Sequence, residues 1–136
     1  GCPQPERGTV DAPIGRDETS LVARRVRSDG SPAVSHYEVL ARGDGLSLLA
    51  LRPETGRTHQ LRVHMASLGC PLAGDWLYGR EDPALIPRPA LHSWALTLTH
   101  PVTGERLDLR APLPEDMARL LRDRFPEGAA ELEAAW

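Results

Sequence analysis

The stretch RPETGRTHQLRVHMASLGCP, residues 52–71, marks the point at which the pattern of apolar residues changes. Before it, the apolar-rich segment Leu46-Ser-Leu-Leu-Ala-Leu51 is interpreted as a strand, with a period of two residues. Within it they recur with a helical spacing of about 3.6 residues, and this predicts an apolar helix face of Leu61, His64, Met65 and Leu68. Thr58 is predicted as the N-cap, and Gly69 followed by Pro71 is predicted to end the helix.

The residues upstream of this helix predict an antiparallel meander. Residues 33–41 and 46–52 have strand character, and Arg42-Gly-Asp-Gly45 between them is a suitable hairpin loop. Residues 21–27 predict a further strand with a basic face, closed by a turn at Asp29-Gly30. Frequent Pro and Gly in residues 1–17 predict a connecting arm with only a short extended piece at Thr9–Val10.

Downstream of the helix, residues 72–89 contain too many Gly, Pro and Asp for a long element and predict an irregular loop. Strands are predicted at 91–99 and 106–111. Pro114 is predicted at the first position of a last helix reaching about Phe125, with an inward face of Met117, Leu120 and Leu121. This order of elements predicts an α+β fold with a mostly antiparallel mixed sheet and flanking helices.

Composition places the chain among globular proteins. Its 136 residues are 40% apolar and 26% charged, which is within the usual range for one domain. No apolar run approaches the roughly 20 residues that a membrane-spanning helix needs. Cys2 and Cys70 form neither a metal quartet nor a disulfide framework and are expected to be reduced thiols. A soluble, cytoplasmic protein is therefore expected.

The charged residues are unevenly distributed. All 16 basic residues are Arg, and the formal net charge is −3. Residues 52–64 hold three Arg and two His against one Glu, whereas residues 115–136 hold six acids against three Arg. Guanidinium groups bind phosphate in a bidentate way and stack on bases, so the pattern predicts a basic cleft suited to RNA beside an acidic tail.

The helix and the residues after it resemble the signature of the RluA family of pseudouridine synthases. The resemblance rests on a continuous run and a second group at the expected distance: Thr55, Gly56, Arg57, Thr58, His59, Gln60, Arg62, Val63 and His64, then Gly69, Pro71, Gly74, Asp75, Tyr78 and Gly79. Flanking matches extend it over roughly residues 8–121. It implies a mixed, bent sheet with helices outside, and an enzyme that isomerises uridine to pseudouridine in ribosomal or transfer RNA without a cofactor.

Two family motifs are missing from this stretch. The family's catalytic aspartate belongs to a His-Arg-Leu-Asp motif upstream of the signature, and a motif with an active-site tyrosine follows that one. The chain begins at Gly1 without an initiating methionine, so residues 18–125 are interpreted as the C-terminal half of a catalytic domain that is inactive alone, and residues 126–136 as an acidic tail. A catalytically inactive RNA-binding module is the alternative, and a structural domain without an RNA role is a third possibility.

Arg62 is the strongest functional candidate. By resemblance it forms an ion pair with the absent aspartate and keeps that nucleophile ionised and oriented. Arg57, just before the helix, is predicted to receive a phosphate together with free N–H groups of the first turn. His59 and Gln60 are predicted either to serve the same RNA surface or to bond to local backbone. Leu91 is where the family brings an apolar residue close to the uracil.

Other polar residues favour structural roles. His64 faces the apolar stripe and is predicted to be a core histidine. Asp75 is predicted to be a capping or turn residue rather than a catalytic one. Asp108 in Arg106-Leu-Asp108 repeats three letters of the missing motif, but alternation predicts an ordinary half-exposed strand. His59 and His64, five residues apart, would point to different helix faces, so no metal site is expected.

Removing the first half of such a sheet would expose at least one edge. Exposed strand edges pair readily with other chains. The chain is therefore predicted to self-associate through this edge.

Overall fold

The structure is a computed structural model that describes residues 1–127 and residue 134. The chain divides into two compact units, one from Gly1 to Pro89 and a second that begins at Ala90. Most of the predicted acidic tail lies outside the described residues. No helix within the described part of the chain is long and apolar enough to cross a membrane.

The first unit contains five strands and one helix. They are β1 (Arg7–Asp11), β2 (Ile14–Arg16), β3 (Arg24–Val26), β4 (Val34–Gly43), β5 (Leu46–Pro53) and α1 (Gln60–Ser67). The strands form an antiparallel sheet of order β1-β4-β5 and a separate antiparallel pair, β2-β3. The α+β class and the antiparallel pairing predicted from the sequence are confirmed.

The β4–β5 hairpin formed as predicted. Asp44 and Gly45 at its tip have φ of 53° and 76°. A two-residue hairpin turn whose residues both have positive φ matches the right-handed twist of the flanking strands, and Asp-Gly is a favoured pair for it. The register shifts between Val39 and Ala41, which marks a bulge in β4.

The prediction of a mostly irregular arm over residues 1–17 was wrong for residues 7–11 and 14–16, which form strands β1 and β2. The extended piece at Thr9–Val10 is part of β1, which pairs with β4 from Arg7↔Glu38 to Asp11↔Val34. Val10 is buried with Tyr37 and Met65, and this burial favours an ordered strand. Local Pro and Gly content could not reveal that partner, because the paired residues lie 23 (Asp11↔Val34) to 31 (Arg7↔Glu38) positions apart along the chain.

Helix α1 buries His64 and Met65 as predicted, but the rest of its buried face differs from the prediction. Gln60, Val63, His64 and Met65 are buried, whereas Leu68 is 39% exposed. The helix ends at Ser67, so Leu68 is its C-cap and does not continue the apolar stripe. Gly69 follows with φ of 75°, which confirms the predicted glycine stop.

The second unit holds β6 (Ala95–Thr99), β7 (Arg106–Arg110) and α2 (Glu115–Arg124). Strands β6 and β7 form an antiparallel pair. Pro114 precedes α2 as its N-cap rather than occupying the first helical position. The face of α2 that is buried is Ala118 and Leu121, while Met117 and Leu120 are only half-buried.

The strand predicted at residues 21–27 is shorter than expected. Only Arg24–Val26 forms β3, and Leu21 is 99% exposed. Residues 72–89 form the predicted irregular loop, with an isolated bridge between Asp82 and Ile86.

Candidate functional site

The start of helix α1 is set by backbone geometry. His59 is the N-cap and has a left-handed backbone with φ of 57°, and no side chain caps the helix. The prediction that Thr58 is the N-cap was therefore wrong. The side chain of Gln60 instead turns back, and its Oε1 accepts the N–H of Arg57 at 3.0 Å.

Gln60 ties this turn to the sheet. Its Nε2 donates to the Val34 carbonyl and to Ser35 Oγ, both at 2.9 Å. Its Oε1 also accepts from Thr55 Oγ1 at 2.7 Å, so both amide hydrogens and both lone pairs of the oxygen are used. A buried amide whose bonding capacity is used within the chain favours the local-bonding alternative, and a contact between Gln60 and RNA stays a prediction.

Arg62 is held by a buried carboxylate. Its Nε donates to Asp75 Oδ2 at 2.9 Å, and its Nη2 donates to Asp75 Oδ1 at 2.7 Å. The Asp75 side chain is completely buried, and the Arg62 side chain keeps 15% of its surface exposed. Hydrogen bonding to Asp75 raises the pKa of Arg62 against the opposing effect of burial. The guanidinium is therefore a fixed cation that still reaches the surface.

Asp75 is also the turn residue that the sequence predicted. Its Oδ1 accepts the N–H groups of Leu77 at 3.1 Å and Tyr78 at 3.2 Å. Burial by itself would raise the pKa of Asp75, but hydrogen bonds from Arg62 and from these two N–H groups outweigh it and lower that pKa. Asp75 is thus an ionised carboxylate that joins the irregular loop to helix α1.

Tyr78 completes the cluster. Its ring lies under the guanidinium of Arg62, with the Cζ atom 5.1 Å from the ring centroid, within the range of a cation–π contact. The Tyr78 hydroxyl accepts the N–H of Arg24 at 2.9 Å and lies 2.7 Å from His59 Nδ1. We name Arg62, Asp75, Tyr78 and His59 the arginine cluster.

His59 is partly buried within this cluster. Burial is the main cause that lowers the pKa of His59, and the positive charges of Arg62 and Arg24 lower it further against the opposing charge of Asp75. The Tyr78 hydroxyl already accepts the Arg24 N–H, so its own hydrogen is available to Nδ1 of a neutral ring.

His64 is a core histidine, as predicted. It is fully buried, its Nδ1 lies 2.8 Å from Ser35 Oγ, and its Nε2 lies 2.9 Å from the carbonyl of Ala12. His59 and His64 therefore have separate partners. Among residues 1–127 and 134, no three His, Cys, Asp or Glu side chains are grouped closely enough to hold a metal ion.

The other predicted site residues lie apart from the arginine cluster or in the second unit. Arg57 is exposed, and its Nε donates to the Pro32 carbonyl at 2.8 Å. Leu91 belongs to the second unit, so its role beside a uracil stays a prediction. Asp108 is exposed on β7, where it accepts from Thr97 Oγ1 at 2.6 Å.

Sequence reasoning missed two members of the arginine cluster. Asp75 and Tyr78 belong to the family signature, but the sequence predicts only a capping or turn role for Asp75 and no role for Tyr78. The signal that could have found them is a single acid between two loop glycines, Gly74 and Gly79, downstream of an Arg that the helix leaves only partly exposed. The spacing of apolar residues cannot predict such a contact, because the loop that carries Asp75 and Tyr78 is irregular.

Comparison with known proteins finds relatives of one kind. The family model described as RNA pseudouridylate synthase matches residues 2–67. The chain is 51% identical over 117 residues to an uncharacterized RNA pseudouridine synthase of Bacillus subtilis, covering 85% of this chain and 40% of that protein. It is 49% identical over 123 residues to the ribosomal large subunit pseudouridine synthase D of Nitrosomonas europaea, covering 85% of this chain and 36% of that protein.

Solved structures give the same result. The human RNA pseudouridylate synthase domain containing 1 superposes with a TM-score of 0.67 at 34% identity, covering 80% of this chain and 49% of that one. The human RNA pseudouridylate synthase domain containing 4 gives 0.65 at 31% identity, covering 89% of this chain and 57% of that one. The chain thus spans less than two thirds of each of these relatives.

Proposed function

Because the chain belongs to the RNA pseudouridylate synthase family, as its resemblance to the RluA family indicated, we propose that it supplies the arginine partner of a nucleophilic aspartate that lies outside residues 1–136. The complete protein then isomerises uridine in RNA by breaking the N-glycosidic bond, rotating the uracil and rejoining it through carbon. We expect the complete protein to act in the cytoplasm. Arg62 is the residue through which this chain contributes to the chemistry.

The observation that carries the proposal is the unused bonding capacity of Arg62. A guanidinium has five N–H donors. Asp75 takes two of them, and no acceptor among the described residues takes the other three. A second carboxylate brought to this edge would be held ionised by the cation and oriented by paired hydrogen bonds. An aspartate that attacks carbon needs both conditions.

The surroundings of the arginine cluster suit RNA. Arg57 is exposed and retains the donors of both terminal nitrogens, and Arg52 is exposed at the end of β5. We propose that these cations bind phosphate together with His59. A uridine must leave its stack to reach the nucleophile, and Leu91 is proposed to contact the extruded uracil.

A reconstitution experiment tests the function. The complete protein and residues 1–136 are each incubated with RNA from a strain that lacks the encoding gene, and pseudouridine is counted by mass spectrometry of nucleosides. We expect product with the complete protein and none with residues 1–136, because an arginine that orients a nucleophile cannot replace it. Product from residues 1–136 that disappears in Asp108→Asn would overturn the assignment of the nucleophile.

The same experiment addresses the substrate and the alternative function. Separate incubations with ribosomal RNA and transfer RNA identify the substrate, and ribosomal RNA is proposed because one relative is a ribosomal large subunit synthase. A complete protein that binds RNA at low salt but never forms pseudouridine would favour the inactive RNA-binding module. Sedimentation of residues 1–136 over a concentration series tests self-association through β1 or β5, the outer strands of the three-stranded sheet.

A further inference from the structure

Arg62 presents a fixed edge to its surroundings because Asp75 grips the opposite edge. An arginine side chain has several rotatable bonds, and a single hydrogen bond would leave its guanidinium free to swing. The two bonds from Nε and Nη2 to the two oxygens of Asp75 define the guanidinium plane. The Tyr78 ring lies against the group at 5.1 Å and restricts its movement further.

Asp75 is itself prevented from rotating. The N–H groups of Leu77 and Tyr78 both bond to Oδ1, which is the oxygen that also accepts from Arg62 Nη2. The carboxylate therefore has one orientation in which all four of its hydrogen bonds form. A carboxylate that was only neutralising a nearby cation would not need this arrangement.

The loop that carries Asp75 is closely packed on both sides. A Cβ atom at Gly74, where φ is 75°, would lie 2.3 Å from the Arg88 carbonyl oxygen. A Cβ atom at Gly79 would lie 2.8 Å from Pro71 Cβ. Glycine is needed where a neighbouring carbonyl, as at Gly74, or a rigid proline ring, as at Gly79, approaches the backbone this closely. The loop is thus a firm base for the carboxylate, and Asp75 is fully buried within it.

We propose that Asp75 is a positioning residue for the isomerisation: it aims the free edge of Arg62 at the nucleophilic aspartate, while Tyr78 keeps the guanidinium plane in place. This inference rests on the proposed function. Asp75 touches neither RNA nor the reacting atoms, because its side chain is completely buried. It acts through Arg62 alone, so its effect must vanish when Arg62 can no longer be aimed.

A double-mutant cycle on the complete synthase tests this dependence. Asp75→Asn keeps an oxygen for the two loop N–H groups but places an amide nitrogen against Arg62 Nε–H. Arg62→Lys keeps the positive charge but loses the planar, two-pronged donor. The single variants, the double variant and the wild type are compared in single turnover at saturating enzyme, with RNA affinity measured separately.

The expected result is a strong coupling between the two positions. Displacement of a reacting partner by about 1 Å can cost on the order of a hundredfold in rate, so Asp75→Asn should slow the chemical step by roughly ten- to a hundredfold. The same change in the Arg62→Lys background should slow it by less than about threefold, because additivity fails for residues that act as a unit. RNA affinity should stay within about twofold, since phosphate contacts dominate it.

Other outcomes separate the two proposals. An active wild type in which Asp75→Asn slows the reaction equally in both backgrounds would overturn the positioning role and leave the proposed function intact. A wild type that forms no pseudouridine would overturn both. If Asp75→Asn does not fold, as judged by circular dichroism, Asp75→Glu takes its place in the cycle. That variant retains the charge but moves the carboxylate by one methylene, so the same coupling is expected.

Discussion

Two arginine–aspartate pairs in this chain have similar chemistry and very different surroundings. Arg62 Nη2 and Asp75 Oδ1 are 2.7 Å apart, with 15% and 0% of the side chains exposed. Arg106 Nε and Asp108 Oδ2 are 3.6 Å apart, with 75% and 58% exposed. The second pair sits in the triplet that copies a catalytic motif, whereas the first spans a helix and an irregular loop. Burial and hydrogen bonding, rather than the triplet, distinguish a functional candidate from an ordinary strand.

The largest expected difference between the pairs is in stability. Arg62→Met leaves the Asp75 carboxylate buried without its cation, which should lower the free energy of unfolding by about 3–5 kcal/mol. Arg106→Met removes an exposed pair and should cost less than about 1 kcal/mol. Urea unfolding of both variants of this chain provides the measurement. Equal losses would mean that the Arg62–Asp75 pair is no more stabilising than a surface pair.

The next difference concerns the proposed catalysis by the complete protein. On the proposed function, Arg62→Met should slow the chemical step at least about a hundredfold, because the proposed nucleophile would lose the charge that keeps it ionised and each ~1.36 kcal/mol is tenfold in rate. Single-turnover kinetics at a temperature where circular dichroism shows a folded variant is the measurement. A near wild-type rate would show that Arg62 is not the partner of the nucleophile.

The pH dependence of unfolding should sharpen the same contrast. The folded-state pKa of Asp75 is lowered, so its stabilising contribution is complete above the unfolded value of about 3.9 and is lost as pH falls through the lower folded value. The folded-state pKa of His59 is also lowered. The stabilising contribution of His59 is lost as pH falls below about 6.5, which is a higher pH than that at which the Asp75 contribution is lost. The free energy of unfolding is measured for wild type and Asp75→Asn at a series of pH values. The slopes of this free energy against pH should differ between the two proteins only below about pH 5. An identical acid limb in the two proteins would contradict the ion pair.

A smaller effect is expected at Arg57, which lies outside the arginine cluster. Arg57→Ala should weaken RNA binding and reduce the slope of log affinity against log salt by about 1, the effect of one lost phosphate contact. Single-turnover rates at saturation should stay close to wild type, because Arg57 has no bond to Arg62 or Asp75. Binding titrations at several salt concentrations test this. An unchanged slope of log affinity against log salt would show that Arg57 does not contact an RNA phosphate.

The smallest effect belongs to the exposed pair itself. Asp108→Asn in the complete synthase should change the single-turnover rate by less than about twofold, as surface substitutions do. Loss of activity in this variant would contradict this expectation and indicate that the triplet Arg106-Leu-Asp108 on β7 is the catalytic one.

Much of the fold was predictable because it depends on neighbours in sequence. The β4–β5 hairpin follows from an Asp-Gly turn between two segments with strand character, and the end of α1 follows from Gly69. Strand β1 was underestimated because its stabilising partner, β4, is remote. The buried face of α1 was misjudged because Gln60, a polar residue, is buried through four hydrogen bonds, and Leu68 lies beyond the last turn.

The candidate site was predictable only in part for a similar reason. The choice of Arg62 followed from its place in a family signature, and the structure adds a partner 13 residues away on a loop without periodicity. Arg62 lies on a short helix, where spacing predicts which residues share a face. Asp75 and Tyr78 lie where tertiary packing alone decides which groups meet, and no local pattern reports it.

The left-handed backbone of His59 bears on how an alignment of this family should be interpreted. Residues other than glycine rarely adopt a φ of 57°, although Asn, Asp and His tolerate it better than most. A substitution at this position therefore changes both the backbone preference and the imidazole. An invariant histidine here would be mistaken for proof of acid–base chemistry, when a requirement to turn into α1 would preserve it equally well. Glycine and asparagine at the same position in active relatives would identify the backbone as the property under selection.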